Sequence, residues 1–328
     1  MSQRTLTIAT ETWPLIKPFS ISRGTKTEAN VLVVEITEGS QVGRGESVPY
    51  AHYGETMEGV RAKVESCKKA IENGISRDSV SNLLGPGAGR NALDAALWDL
   101  ESKLTGQPIW KLAGLPTPIP VITAQTISLG DEKGMAEQAR ELKSAPLIKV
   151  KLDTKYVVSR MRAVREAAPE SRLIADANEA WDLELLAEVA PVLAEIGVEM
   201  IEQPLPASMD TVLAGYKSLV PLCADEACHT LKDIRKIGER YDMVNIKLDK
   251  TGGLTEALNL AHGAERAGLK IMVGCMVATS LAMAPATMLA SFAEFVDLDG
   301  PLLLKEDREN GLVFKNGYVH PPSPALWG

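Results

Sequence analysis

Leu147-Ile-Lys-Val-Lys-Leu-Asp153 is a short apolar run interrupted by two lysines two positions apart. In a β-strand that spacing turns Lys149 and Lys151 to one face and the aliphatic residues to the other. A lysine turned inward needs an anionic partner or a task, because burying an unpaired charge is costly. Three similar runs follow, each closing on an acid: Leu173–Ala175 on Asp176, Met200–Ile201 on Glu202, and Leu222–Ala224 on Asp225. Beyond them Met243–Ile246 leads into Lys247, and Lys270–Val273 and Phe295–Leu298 complete the series that Val121–Thr126 opens. Between most of these runs lie stretches such as Asp182–Ala190 and Leu254–Gly268, with apolar residues three and four apart, the spacing of an amphipathic helix. Eight strand candidates separated by helices predict a parallel α/β barrel. An open doubly wound sheet is the alternative, weakened because no GxGxxG or GxxxxGK[ST] follows an early strand.

Upstream the texture differs. Arg4–Trp13 and Asn30–Glu38 read as strands, separated by a polar loop Ser20–Glu28, and a third strand spans Gln41–Ser47 after the turn at Gly39. A loop with two tyrosines and a histidine, Pro49–Thr56, precedes helical patterns at Met57–Ile71 and Asn91–Leu104, the second ended by Gly106 and Pro108. Three prolines in Leu115–Pro120 mark a stiff connection and the best boundary. From Pro301 the chain turns polar and proline-rich, and is expected to leave the barrel and pack back on the first domain.

The 328 residues suffice for one large or two unequal domains with a sizeable core. A net charge of -8 argues against a nucleic-acid partner. The four cysteines form no CxxC pair and read as free cytosolic thiols. The N-terminal stretch lacks a continuous apolar segment, so no signal peptide is expected, and the apolar stretch Leu269–Leu289 is too interrupted for a membrane span.

In an α/β barrel, catalytic groups stand at the C-terminal ends of the strands. Asp176, Glu202 and Asp225 fall there on three successive strands, which lie about 4.8 Å apart. Crowded carboxylates repel, so they protonate or bind a cation, and oxygen ligands favour a hard ion such as Mg²⁺. Lys247, on the sixth strand, faces Lys149 and Lys151 across the barrel. Positive neighbours and desolvation lower a lysine's pKa and suit it to act as a base. Two such amines flanking a metal-bound carboxylate suit removal of an α-proton from one face and its return to the other. The metal would stabilise the enediolate between the two steps. Taken singly, each acid could instead cap a helix or pair with a lysine.

These residues resemble the enolase superfamily, in its muconate-lactonizing subgroup, and look most like its dipeptide epimerases. The likeness is carried by Arg90-Asn-Ala-Leu-Asp-Ala-Ala-Leu-Trp-Asp-Leu100, KVKLD, DANEAW, IEQPLP, ADEACHT and NIKLDKTGGLTEA, and covers nearly the whole chain. Lys or His bases with Mg²⁺ are a stock example for that superfamily. The resemblance implies a modified (β/α)7β TIM-type barrel (residues 118–300), an N-terminal α+β capping domain (1–117) and a C-terminal segment (301–328). It implies Mg²⁺ on Asp176, Glu202 and Asp225, Lys151 and Lys247 as the acid/base pair, and Lys149 against the substrate carboxylate. Asp297 and Asp299 match a DxD that holds the ammonium of a dipeptide, Thr126 matches a substrate-contacting threonine, and Cys275 and Met276 supply backbone contacts. Glutamate-specific members carry an arginine at the position of Lys26, with Arg23 close by; a lysine pairs with a carboxylate but lacks the bidentate fork. The loops Ser20–Glu28 and Pro49–Thr56 are expected to close over the site. An Ala-Glu dipeptide substrate, a cytoplasmic homo-oligomer and a role in cell-wall peptide metabolism follow as expectations.

Glu226 and Asp249, beside the motif residues, are expected to have supporting roles. Asp94 and Asp99 read as surface or capping groups, His229 as a structural hydrogen-bonding residue, and Met272, Met276, Met283 and Met288 as core filler. Two other functions stay open: a sister reaction on the same scaffold, such as cycloisomerase, o-succinylbenzoate synthase or N-acylamino acid racemase, and a metal-stabilised barrel that only binds. The DxD argues against the sister reactions, whose substrates lack a free ammonium.

Overall fold

All eight apolar runs contain strands, and these lie side by side in chain order in one parallel sheet. Residues 4–328 are described in a computed structural model; the first three residues of the N-terminal stretch lie outside them. The barrel strands are Gln125–Ile127, Leu147–Lys151, Arg172–Asp176, Val198–Glu202, Leu222–Ala224, Met243–Ile246, Lys270–Val273 and Phe295–Val296. The ring closes where the Ala124 N–H donates to the Val296 carbonyl at 2.7 Å and the Leu298 N–H to Thr123 Oγ1 at 2.9 Å. The result is a barrel-like parallel sheet with a separate N-terminal three-stranded sheet beside it, the α/β architecture that the resemblance implied.

Strand alternation builds the barrel interior in layers. Ala124, Leu147, Ile174, Met200, Cys223, Met243, Met272 and Phe295, one from each strand or its approach, form a separate buried apolar cluster. Fully burying one of its larger side chains contributes about 1.5–3 kcal/mol. Two residues further along each strand, on the same face, come Thr126, Lys149, Asp176, Glu202, Asp225, Asn245, Gly274 and Asp297. Another two residues on come Lys151, Lys247 and Asp299. The intervening residues, such as Ile148, Val150, Leu173, Ala175, Val244 and Ile271, pack outward into the main core with the helices.

Most crossovers are helical: Glu132–Glu141, Val157–Ala167, Leu183–Ile196 and Leu254–Arg266 are the longest. The fourth carries only the 3₁₀ turn Asp210–Leu213, in a segment holding Pro204, Pro206 and Pro221, which cannot sustain a helix. Val121–Ile122, expected in the first barrel strand, instead pairs with Tyr318–Val319 of the C-terminal hairpin. That hairpin takes the edge before the barrel begins, and the Thr123 N–H donates to the Gly317 carbonyl at 2.9 Å.

In the capping domain, Arg4–Ile21 and Gly24–Glu38 form one long antiparallel ribbon with Gln41–Ser47 on its other edge. The expected loop Ser20–Glu28 is therefore mostly strand, tightly turned at Ser22-Arg23, with Ile21 opposite Gly24. Its residues from Gly24 to Glu28 are exposed, so no apolar alternation betrays it. The helical stretch after Met57 breaks at Cys67 into Met57–Ser66 and Lys68–Glu72. The helix Ala88–Thr105 ends at Gly106, whose φ of 66° suits glycine. The chain's end lies against the helix Ala88–Thr105: Trp327 Nε1 donates to the Ala95 carbonyl at 3.0 Å, and the Gly328 N–H to Asp99 at 2.7 Å.

Candidate active site

Register places the charges. Lys151 lies opposite Asp176, and Asp176 opposite Glu202, on neighbouring strands. Glu202 lies opposite Cys223, so Asp225 stands two residues further out on the next strand. All three acids are buried, as are Lys149, Lys151 and Lys247. Lys149 Nζ lies 2.6 Å from Glu202, 2.7 Å from Asp297 and 3.2 Å from Asp176. Lys151 Nζ donates to Asp176 Oδ2 at 2.6 Å. Lys247 Nζ donates to Asp225 Oδ2 at 2.6 Å and lies 3.8 Å from Glu202. Lys151 stands on the second strand and Lys247 on the sixth of eight, across the ring from each other.

The electrostatics follow from these contacts. Burial works against the charge of Asp176, but Lys151, Lys149 and Lys247 hold it below the usual carboxylate range. Asp225 is held down against burial by Lys247 and then Lys250. Glu202 is pushed up by burial and then by the charge of Asp176. The expected lowering of a lysine is reversed here. Burial disfavours the charge of Lys247, yet Asp225 and Glu202 raise it well above its ordinary value. Lys149 is raised the same way by Asp297, Glu202 and Asp176. Close carboxylates outweigh the like charges that the spacing of the lysines suggested.

Among the described residues no three carboxylates, imidazoles or thiols close on one point as a metal cage. Ammonium groups stand between the acids instead. The donor set nonetheless fits a hard divalent cation. It is all oxygen, and Glu202 Oε2, though close to Lys149, is buried without a hydrogen bond of proper direction. Its raised pKa among like charges marks a place where added positive charge is favoured.

A cavity of about 410 Å³, within the range of small-molecule sites, opens onto the three lysines and Asp225, with Asp176 and Glu202 buried behind its lining. Thr126, Lys26, Cys275, Met276, Asp297 and Asp299 all line it with the lysines. Asp299 Oδ2 accepts the Thr126 N–H at 2.7 Å, and burial followed by repulsion from Asp297 pushes its pKa up to about 7. Asp297 Oδ1 is buried without a hydrogen-bond partner among the described residues. Burial and the charges of Asp297 and Asp299 push the Cys275 thiol well up, so it is no nucleophile.

Both expected loops cover the mouth. The Arg23 guanidinium donates to Glu226 Oε1 at 2.7 Å, to the Asn178 carbonyl at 2.9 Å and to Tyr50 Oη at 3.2 Å. Glu179 meets Arg23 at 3.3 Å and His52 at 2.7 Å. Arg23 is thus committed to the barrel, whereas among the described residues Lys26 makes no ion pair and its Nζ lies over the Tyr50 ring, 5.1 Å from its centre. His229 keeps a structural place: Nε2 lies 3.2 Å from the Glu226 carbonyl oxygen and the ring packs edge-on against Tyr53.

Three residues of the site escaped the sequence reading. Lys250, fully buried, donates to Asp225 Oδ1 at 2.6 Å, to the Asn245 carbonyl at 2.9 Å and to the Asp225 carbonyl, so its three protons are all taken. Its signal was a second lysine three residues after Lys247. Asn245 donates to Glu202 Oε1 at 2.7 Å, and its inward place two residues before Lys247 was legible. Glu179, with φ at 66°, carried no signal of its latching role. Asp94 and Asp99 are buried, not surface groups. Asp99 binds Lys103 at 2.8 Å and accepts the Arg44 N–H at 2.8 Å.

Two family descriptions match the chain: "Mandelate racemase / muconate lactonizing enzyme, N-terminal domain" over residues 3–114 and "Enolase C-terminal domain-like" over 134–325. An L-Ala-D/L-Glu epimerase of Escherichia coli (strain K12) is 46% identical over 319 residues, 97% of this chain and 99% of that protein. An N-acetyl-D-glutamate racemase of a Pseudoalteromonas species is 44% identical over 300 residues, covering 91% and 95%. A crystal structure of an Agrobacterium tumefaciens enolase family member, described as homologous to dipeptide epimerases and containing sodium and L-Ala-L-Glu, superposes with a TM-score of 0.97. It is 48% identical and covers 99% of this chain and all of the other.

Proposed function

The chain belongs to the mandelate racemase/muconate lactonizing enzyme family of the enolase superfamily, and from that premise we propose that it is a Mg²⁺-dependent dipeptide epimerase. It inverts the α-carbon of the C-terminal residue, with L-Ala-D/L-Glu as substrate. The reading rests above all on one observation: two buried lysines face each other across the barrel, with buried carboxylates between them. Lys151 takes or returns the α-proton on one face and Lys247 on the other. Asp176, Glu202 and Asp225 would hold Mg²⁺. When bound, the ion supplies positive charge for the substrate carboxylate as negative charge builds on it. Asp225 and Glu202, which raise the pKa of Lys247, would be the acids taken up in holding it.

Lys149, held among Asp176, Glu202 and Asp297, adds a fixed positive charge beside the reacting carboxylate. Asp297 and Asp299 receive the dipeptide's ammonium, for which the unpartnered Asp297 Oδ1 is suited. That need for an ammonium sets the reading apart from racemisation of N-acetylated amino acids. Lys26, lining the cavity, pairs with the glutamate side chain, while Thr126, Cys275 and Met276 contact the rest of the substrate. Closure of the Arg23 and Tyr50 loops excludes water from the proton transfers. We assign residues 1–117 to the capping domain, 118–300 to the barrel and 301–328 to the returning segment. A cytoplasmic homo-oligomer acting on cell-wall peptides is part of the proposal; among the described residues no helix is long and apolar enough to cross a membrane.

The test is proton NMR in D₂O. L-Ala-L-Glu and L-Ala-D-Glu are expected to exchange the C-terminal α-proton and interconvert, to stop on chelation, and to resume on adding Mg²⁺. No exchange with either dipeptide, alongside turnover of N-acetylglutamate, would overturn the assignment.

A further inference from the structure

We propose that Asp249 is a positioning residue for Lys247, and that it ties this one base to the capping domain while Lys151 is held by the barrel alone. The inference rests on the two-base reading above and adds a distinction between the two faces of the site.

Lys247 leaves its strand into the short helix Leu248–Thr251, which begins on the Lys247 carbonyl: that oxygen accepts the N–H groups of Lys250 and Thr251, both at 3.0 Å. The next turn is bolted to the capping-domain helix Ala88–Thr105 at three points. Asp249 Oδ1 accepts from Asn91 Nδ2 at 2.9 Å and from the Val48 N–H at 3.0 Å. Arg90 donates to the Gly252 carbonyl at 3.0 Å and to the Thr251 carbonyl. Asp94 caps the start of the helix Leu254–Arg266 by accepting the Thr255 N–H at 3.1 Å. The approach is so close that only glycine fits. A Cβ on Gly252 would lie 2.4 Å from Arg90 Nε, and one on Gly253 2.4 Å from Asp94 Oδ2, and both have positive φ.

Asp249 is the member of this set nearest the base in sequence, and it is buried, with both hydrogen-bond donors to its carboxyl coming from the other domain. Val48 immediately precedes the Pro49–Thr56 loop that covers the cavity. One carboxyl oxygen therefore fixes the turn bearing Lys247 and the root of the covering loop together. Asp153 holds the equivalent position, two residues after Lys151, but accepts from Arg160 at 2.6 Å and from the Lys155 N–H at 2.7 Å, both within the barrel.

The experiment reads α-proton exchange in D₂O for each epimer separately. The Lys247→Ala variant first identifies which epimer depends on Lys247. In Asp249→Ala, exchange of that epimer and epimerisation in both directions are expected to fall on the order of tenfold or more, as for a misplaced reacting group. Exchange of the other epimer, with retention of configuration through Lys151, is expected to stay within about twofold. Asp249→Asn keeps the accepting oxygen and should restore both rates. Asn91→Ala, which cuts the same bond from the capping side, should reproduce the one-sided loss and serves if Asp249→Ala does not fold. Equal losses for both epimers, or no loss, would overturn the inference. A wild-type protein that exchanges neither epimer would instead remove the two-base reading on which it stands.

Discussion

The tripeptide Lys-Leu-Asp occurs on both flanks of the site, as Lys151-Leu152-Asp153 and as Lys247-Leu248-Asp249. In each the lysine, at the end of its strand, points inward and the leucine packs into the main core. The aspartates part company. Asp153 is partly exposed and paired with Arg160, and its backbone carbonyl accepts Trp181 Nε1 at 2.9 Å, all within the barrel. Asp249 is buried against a helix more than 150 residues away in sequence. The same tripeptide thus gives one lysine a self-contained mount and the other a mount shared between domains.

The sharpest break of this comparison removes the amines. Lys151→Ala and Lys247→Ala should each lower epimerisation by about 10²–10⁴-fold, the usual loss of an acid/base group. Each should abolish α-proton exchange for a different epimer, measured by NMR. Loss of exchange for the same epimer in both variants would end the two-face picture.

A smaller effect probes the shared mount. Asp94→Ala removes the cap on the helix Leu254–Arg266 and leaves the Thr255 hydroxyl without its carboxylate partner. A loss of about 0.5–2 kcal/mol is expected from chemical denaturation. Asp153→Ala, which removes a partly exposed ion pair, should cost about 0–1 kcal/mol. A reversed order would mean that the interdomain mount is the weaker one.

The subtlest contrast is with pH. Burial pushes the Asp249 carboxyl up to about 7, against the Val48 and Asn91 hydrogen bonds that lower it. Between its ordinary value near 4 and 7, the native protein holds a proton that the unfolded chain has released. Stability from this group is therefore present below that window and declines as pH rises through it. Asp249→Asn, which cannot ionise, should flatten that decline by up to about 4 kcal/mol between pH 4 and 8. Unchanged pH dependence of the denaturation midpoint would show that Asp249 is not the group responsible.

Much of the site was legible from the chain because it depends on period-two alternation and on strand order. Lys149, Lys151, Asp176, Glu202, Asp225 and Lys247 each end or interrupt an apolar run, and a parallel barrel brings such ends to one mouth. The ribbon through Ser20–Glu28 was missed because its residues are mostly exposed and show no apolar rhythm. The first barrel strand was read too long because competition from Tyr318–Val319 is not a local property.

The sequence by itself determined which residues face the barrel axis and in what order they go round it, since alternation and chain order need no distant partner. Only the tertiary structure decided what those charges meet: that Lys247 is raised by its neighbours, that Lys250 pins Asp225, and that Asp249 reaches another domain. Charge states and cross-domain bonds depend on separations of a few ångströms between residues far apart in the chain, and those distances exist only once the two domains have docked.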